Sequence, residues 1–348
     1  MLNVLVIDDS AVVRQVAKAI LEATGGFAVD VAADPLIAMK KMEKRRPDVI
    51  LLDIEMPRMD GLTFLRKLMS EDPIPVVVCS AVAGRGTETA LRALEEGAVE
   101  IVTKPRAAVH EYFNESTELL TDAIRAAAHA KCRRRLALAP PAPRSAGIPA
   151  GRSAGFQPAR KLVAIGASTG GTEALREILE ALPADGPGIV IVQHMPEVFT
   201  AAFANRLNQT CRMEVKEAAE GDVITAGRAL IAPGSHHVHV VREGGEYRIR
   251  LSDGPLVSRH RPSVDVLFRS VAESAGPHAL GLILTGMGDD GAAGLLAMRQ
   301  AGATTLAQDE ATSIVFGMPK AAIGRGAVDM VHPLPRLAAA ILSRSMVG

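Results

Sequence analysis

The chain carries no excess of charge, since its 39 lysines and arginines are matched by 39 aspartates and glutamates. No global field therefore draws it to nucleic acid or to an anionic membrane, and binding has to come from local sites. A cysteine framework is also missing. Cys79, Cys132 and Cys211 are odd in number and far apart, which excludes a disulfide-stapled fold and a zinc spacing and points to a reducing compartment. No apolar run is long enough to span a bilayer, and Met1-Leu2-Asn3-Val4-Leu5 enters a strand pattern with no basic leader. These absences predict a cytoplasmic protein with no direct membrane insertion.

What is present suits two domains, because 348 residues exceed the usual single-domain length. In the first part, strand-like runs at Val4-Leu5-Val6-Ile7, Phe27-Ala28-Val29-Asp30-Val31-Ala32, Val49-Ile50-Leu51-Leu52, Pro75-Val76-Val77-Val78-Cys79 and Ala98-Val99-Glu100-Ile101-Val102 alternate with helical patterns. That alternation predicts an α/β, doubly wound parallel sheet, whose functional groups gather beyond the carboxyl ends of its strands. Asp8 and Asp9 follow the first strand, Asp53 the third, Ser80 the fourth and Lys104 the fifth. Carboxylates converging on one crevice repel unless a cation sits among them, and an oxygen-only donor set favours magnesium. A lysine and a hydroxyl beside them suit the oxygens of a phosphoryl group on Asp53.

A linker follows. After an alanine-rich helical pattern, Lys131-Cys132-Arg133-Arg134-Arg135 starts a change of composition, and residues 140–159 are rich in Pro, Ala, Gly and Ser without periodicity. The expected division is 1–122, then helix end and linker over 123–159, then a second domain over 160–348. The basic cluster reads as a solvated helix end, where cations are favoured.

The second domain opens with Leu162-Val163-Ala164-Ile165-Gly166-Ala167-Ser168-Thr169-Gly170-Gly171, an apolar strand turning abruptly into small residues and then a helix. Gly166-x-Ser168-x-Gly170 matches a nucleophile elbow, which lifts a serine hydroxyl to a strand end beside the amides of the next helix. A dinucleotide fingerprint would need glycine at Ser168, and a phosphate-binding Walker loop a lysine before Thr172; both are missing. The window alone leaves a structural turn or a phosphate cradle open. His194 follows the strand Gly188-Ile189-Val190-Ile191-Val192, where it can serve as a general base, and Asp289 and Asp290 follow Ala279-Leu280-Gly281-Leu282-Ile283-Leu284, where an acid can hold the imidazole tautomer. The order serine, histidine, acid differs from that of α/β-hydrolases. His236, His237 and His239 suit a groove, or a metal if supporting ligands exist. Residues 260–265 read as a helix start in which Arg261 could orient a carboxyl group, and residues 308–319 as a loop beside the site.

Ile7-Asp8-Asp9-Ser10, Leu52-Asp53-Ile54-Glu55-Met56-Pro57-Arg58-Met59-Asp60-Gly61, Cys79-Ser80-Ala81 and Val102-Thr103-Lys104-Pro105 resemble the receiver domains of two-component response regulators. The resemblance implies a flavodoxin-like fold and a histidine kinase that phosphorylates Asp53. It further implies Mg²⁺ on Asp9 and Asp53 with Asp8 assisting, phosphate contacts from Ser80 and Lys104, and a cis Lys104–Pro105 bond. Ile101 departs from the aromatic residue that many receivers carry there.

The second domain resembles the chemotaxis protein-glutamate methylesterase/deamidase family, through Gly166-Ala167-Ser168-Thr169-Gly170-Gly171, Val192-Gln193-His194-Met195-Pro196, Ile231-Ala232-Pro233-Gly234, His260-Arg261-Pro262-Ser263-Val264-Asp265 and Leu284-Thr285-Gly286-Met287-Gly288-Asp289-Asp290-Gly291. That resemblance implies a Rossmann-like second domain and a phosphorylation-activated serine hydrolase. Ser168, His194 and Asp290 would form its triad, family matching favouring Asp290 over Asp289, with oxyanion donors near Thr169 and Met287 and no cofactor for the ester chemistry. The implied substrates are glutamyl methyl esters and glutamines on methyl-accepting chemoreceptors, and the implied oligomeric state is a monomer. A response regulator whose second domain only binds a partner is the main rival. A DNA-binding version lacks any helix-turn-helix pattern, and a nicotinamide oxidoreductase fails on glycine spacing.

Overall fold

The computed structural model describes residues 1–80, 85–104, 110–131 and 161–345. Ala81, the Lys104–Pro105 bond, Cys132 and the linker segment 132–159 lie outside the described residues.

In the first lobe the order is β1 (Leu2–Ile7), α1 (Ala11–Thr24), β2 (Phe27–Ala32), α2 (Pro35–Lys44), β3 (Val49–Asp53), α3 (Gly61–Glu71), β4 (Val76–Ser80), α4 (Arg85–Glu95), β5 (Glu100–Thr103) and α5 (His110–Ala128). The sheet is parallel, in the order β2-β1-β3-β4-β5. Strands β3 and β4 are buried along their whole length, as expected when helices cover both faces of a parallel sheet. Helix starts are set by side chains that accept the first free amides: Ser10 from Val13, Asp34 from Ile37 and Asp60 from Thr63. The chain reverses direction across the sheet between β1 and β3, which places Asp8, Asp9 and Asp53 around one crevice.

The second lobe contains β6 (Leu162–Ala167), α6 (Gly171–Ala181), β7 (Gly188–Gln193), α7 (Glu197–Thr210), β8 (Glu214–Glu217), β9 (Arg228–Ile231), β10 (His237–Glu243), β11 (Glu246–Ser252), α8 (Val264–Ser274), β12 (Ala279–Ile283), α9 (Ala292–Gln300), β13 (Thr304–Gln308), α10 (Met318–Gly324), β14 (Met330–His332) and α11 (Leu334–Ser345). Seven strands form a parallel sheet in the order β14-β13-β12-β6-β7-β9-β8, and β10 and β11 form a separate antiparallel hairpin against α8. Strand β6 lies at the centre, with β12 on one side and β7 on the other. The switch of direction falls between β6 and β12, so the ends of β12, β6 and β7 make one continuous rim.

The two lobes touch. Helix α4 packs on α7, with Leu91, Leu94, Phe203 and Leu207 in a single apolar cluster, and Arg206 of α7 forks onto the Glu95 carboxylate. Arg259 pairs with Asp122 of α5 at 3.1 Å, and the Lys131 amide donates to the Ile314 carbonyl.

Candidate active site and receiver crevice

Ser168 is the first residue beyond β6 and His194 the first beyond β7. The last paired residues of those strands are Ala167 and Gln193, so serine and histidine occupy the next matching positions. The His194 amide donates to the Ala167 carbonyl, and the Gln193 side-chain amide donates to the carbonyls of both Ser168 and His194 at 2.9 Å. Glycines are needed to bring these segments so close. A Cβ on Gly171 would stand 2.2 Å from Gln193 Oε1, and one on Gly286 would stand 2.7 Å from Ser168 Cβ. Gly170, at φ +76°, carries the turn into α6.

Asp290 lies in the loop that leads from β12 into α9, and its carboxylate is buried and fully engaged. Ser263 Oγ and the Asp265 amide donate to Oδ1 at 2.8 and 3.1 Å, and the Val264 amide to Oδ2 at 2.8 Å. His194 Nε2 is 2.9 Å from Oδ2. Burial alone would raise the Asp290 carboxyl, but the bonds from His194, Val264 and Ser263 outweigh it and hold the group below the usual carboxylate range. An ionised carboxylate only accepts hydrogen bonds, so the imidazole proton sits on Nε2 and Nδ1 is left as the basic nitrogen. Nδ1 is buried and bonded to no described group, the Ser168 hydroxyl included. No hydrogen bond joins the nucleophile to the base in this arrangement, and such catalytic bonds often tighten only in the complex with substrate.

Asp289, the other acid considered, points to the surface and pairs with Arg325 at 3.0 Å. The Thr169 and Met287 amides, one on each side of the rim, donate to no other described residue. Thr285 ties the rim together, its hydroxyl donating to the Thr169 carbonyl at 2.9 Å while accepting from the Val315 amide at 2.9 Å. Val315, within the stretch 308–319, thus bonds directly to a rim residue. Arg261 donates to the Asp253 and Gly254 carbonyls. His237 is buried between the Ser263 amide and the Pro255 carbonyl, and His239 bonds Ser252 Oγ. His236 pairs with the Asp253 carboxylate at 3.0 Å. Among the described residues no metal-ligand group forms around these histidines.

Three features lay beyond the sequence reading. Ser263 does not cap its own helix but serves Asp290, although the serine before a helix was visible. The His260 ring stacks on His194. Glu100, from the first lobe, accepts from the Thr169 hydroxyl at 2.5 Å.

In the first lobe one oxygen from each of Asp8, Asp9 and Asp53 falls within 4.8 Å of the others. Lys104 Nζ stands 3.0 Å from Asp8 Oδ2 and 2.7 Å from Asp53 Oδ2, yet neither oxygen receives an aligned hydrogen bond. Burial, reinforced by Asp8, lifts the Asp53 carboxyl against the pull of Lys104. Two buried oxygens without aligned donors in an all-carboxylate set fit a hard divalent cation. Ser80 is buried at the end of β4, and the Lys104 amide donates to its carbonyl.

The chain is similar to known proteins along nearly its whole length. Residues 163–341 match the CheB methylesterase family and residues 4–111 the response regulator receiver domain. A protein-glutamate methylesterase/protein-glutamine glutaminase of Anaeromyxobacter dehalogenans is 58% identical, with 98% of each chain covered. Another from Rhodospirillum rubrum is 55% identical, again over 98% of each. The crystal structure of the Thermotoga maritima CheB methylesterase catalytic domain superposes with a TM-score of 0.52 at 38% identity, over 53% of this chain and 97% of that one. With an elbow serine, a carboxylate-held histidine and these matches, the chain belongs to the CheB methylesterase family and carries a response regulator receiver domain ahead of the methylesterase domain.

Proposed function

We propose that the chain hydrolyses glutamyl methyl esters on chemoreceptors, releasing methanol, deamidates receptor glutamines to glutamate, and is switched on by phosphorylation of Asp53. The observation that carries this reading is His194, whose Nε2–H is held by a fully bonded carboxylate while Nδ1 is left as the basic nitrogen, at the strand end adjoining the one that carries Ser168. Ser168 Oγ attacks the acyl carbon as Nδ1 takes its proton, and Asp290 stabilises the imidazolium. The amides of Thr169 and Met287 receive the oxyanion. The imidazolium then returns the proton to the departing methoxide or amide nitrogen, and water repeats the sequence to free Ser168. None of these steps requires a cofactor.

In the receiver, Asp8, Asp9 and Asp53 would hold Mg²⁺, which neutralises charge while the phosphoryl group is transferred. Lys104 and Ser80 then meet the phosphoryl oxygens. The domain division we assign is 1–122, helix end and linker over 123–159, and 160–348. Partners are a histidine kinase and methyl-accepting chemoreceptors, and the enzyme acts as a cytoplasmic monomer. Receiver docking beside Ser168 supports inhibition of the unphosphorylated form, because a receptor helix has to reach that rim.

The test is methanol release from methylated receptor membranes, with and without a small-molecule phosphodonor. Ser168→Ala should lose about 10³-fold or more of kcat, and Asp53→Ala should lose only the response to the phosphodonor. Near-normal turnover in Ser168→Ala would sink the proposal.

A further inference from the structure

His260 lies face to face with His194, the ring centroids 3.7 Å apart and the planes 14° from parallel. The backbone that puts it there is unusual. Val257 and His260 exchange both main-chain hydrogen bonds, at 3.1 and 2.9 Å, across a two-residue turn made by Ser258 (φ 51°) and Arg259 (φ 67°). Consecutive left-handed residues in such a turn are normally glycine or asparagine, and backbone strain of this kind gathers at functional sites. Both ends of the loop are clamped by His237, which accepts from the Ser263 amide and donates to the Pro255 carbonyl. The loop is thus a bracket that delivers one flat ring to a face of the base.

We propose that His260 is a positioning residue for the esterase reaction, fixing the plane of the His194 imidazole so that Nδ1 meets the serine hydroxyl. Asp290 holds the imidazole at one edge only, which leaves rotation about the Nε2–Asp290 bond free unless a second group restrains the ring plane. The stacked ring supplies that restraint. Burial, and then repulsion from His194, push the His260 imidazole well below its ordinary value. It therefore stays neutral when His194 gains the serine proton, and offers a π-face rather than a second charge to the imidazolium.

This inference rests on Ser168, His194 and Asp290 being the reacting groups. The experiment uses the full chain activated by a phosphodonor, reading kcat and KM for methanol release and the rate of Ser168 labelling by a small organophosphorus reagent. His260→Ala should lower kcat by about 10- to 100-fold, as misplacement of a reacting group does. It should slow labelling by a similar factor and leave KM within about twofold. His260→Phe, which keeps a flat ring, should recover most of the loss in both readouts. If His260→Ala melts below the assay temperature, His260→Leu replaces it, filling the space without a planar face and with the same expected loss. A normal kcat in His260→Ala, or in His260→Leu where that replaces it, overturns the proposal. So does failure of phenylalanine to restore labelling, or a defect confined to KM, which would make His260 a substrate contact. Ser168→Ala runs alongside: turnover surviving there breaks the triad itself, whereas its loss together with a normal His260→Ala breaks only the positioning role.

Discussion

Thr169 Oγ1 donates a 2.5 Å hydrogen bond to Glu100 Oε2, joining the residue after the nucleophile to the last strand of the receiver sheet. Burial raises the Glu100 carboxyl from 4.5 to about 7, with only the Thr169 hydroxyl and the Ile101 amide working against it. The docked form therefore binds the proton more tightly than a solvated form would. By linkage, docking is strongest below about pH 4.5 and weakens as pH rises toward about 7. The activity of unphosphorylated chain, divided by that of phosphorylated chain to cancel the chemistry's own pH dependence, should rise across that window. Glu100→Gln should flatten the rise and lower unphosphorylated activity at alkaline pH. A ratio independent of pH in the wild-type chain would remove Glu100 from the latch.

Asp290 gives a second pH dependence of opposite sign. Its folded carboxyl is held below the ordinary value, so the stability it contributes is complete above the unfolded value near 3.8 and is lost as pH falls through the folded one. Asp290→Asn keeps the shape but offers an amide group where donors already converge. It should cost about 10⁴-fold in kcat, by analogy with loss of the acid in other triads, and should flatten the acid limb of the unfolding curve. Unfolding midpoints between pH 2 and 6, measured for both chains, check the second effect.

Much of this was legible in the sequence for one reason. Strands such as β3, β4, β6, β7 and β12 are buried on both faces and read as unbroken apolar runs ending in polar residues, and those ends are where the chemistry sits. Edge elements were not legible. Strand β8 is Glu-Val-Lys-Glu and largely half-buried, and β14 has three residues, so neither carries a pattern that separates it from a loop. Glu100 and His260 were hidden differently. Glu100 reads as one polar residue in a strand, and its partner is 69 positions away in the other lobe. The stack of His260 on His194 depends on a turn of two left-handed residues, neither of them glycine.

Gly286 supports the rim through what it lacks. A methyl group there would meet Met318 Sδ at 2.3 Å and Ser168 Cβ at 2.7 Å, and the strand end cannot retreat because the Gly317 and Met318 amides bond the Gly286 carbonyl. Gly286→Ala should destabilise the chain by about 1–3 kcal/mol, as overpacking does, and should lower kcat by displacing Ser168. Urea unfolding and steady-state kinetics on one preparation would show whether the losses occur together; an active, fully stable variant would mean that Met318 moves aside freely.

The α4–α7 contact can be tested without touching either reaction centre. Arg206 forks onto Glu95 with both side chains partly exposed, so the pair contributes on the order of 1 kcal/mol or less to docking. Glu95→Ala should therefore raise unphosphorylated activity by no more than about fivefold. Glu95→Arg, which places like charges against each other, should raise it further, and the double change Glu95→Arg with Arg206→Glu should bring it back toward wild type by restoring the attraction in reverse. Phosphorylated activity should stay level across the series if phosphorylation separates the lobes as proposed. If the double variant is as active as Glu95→Arg alone, the two residues do not hold each other in solution, and docking is carried by the apolar contact of Leu91 and Leu94 with Phe203 and Leu207.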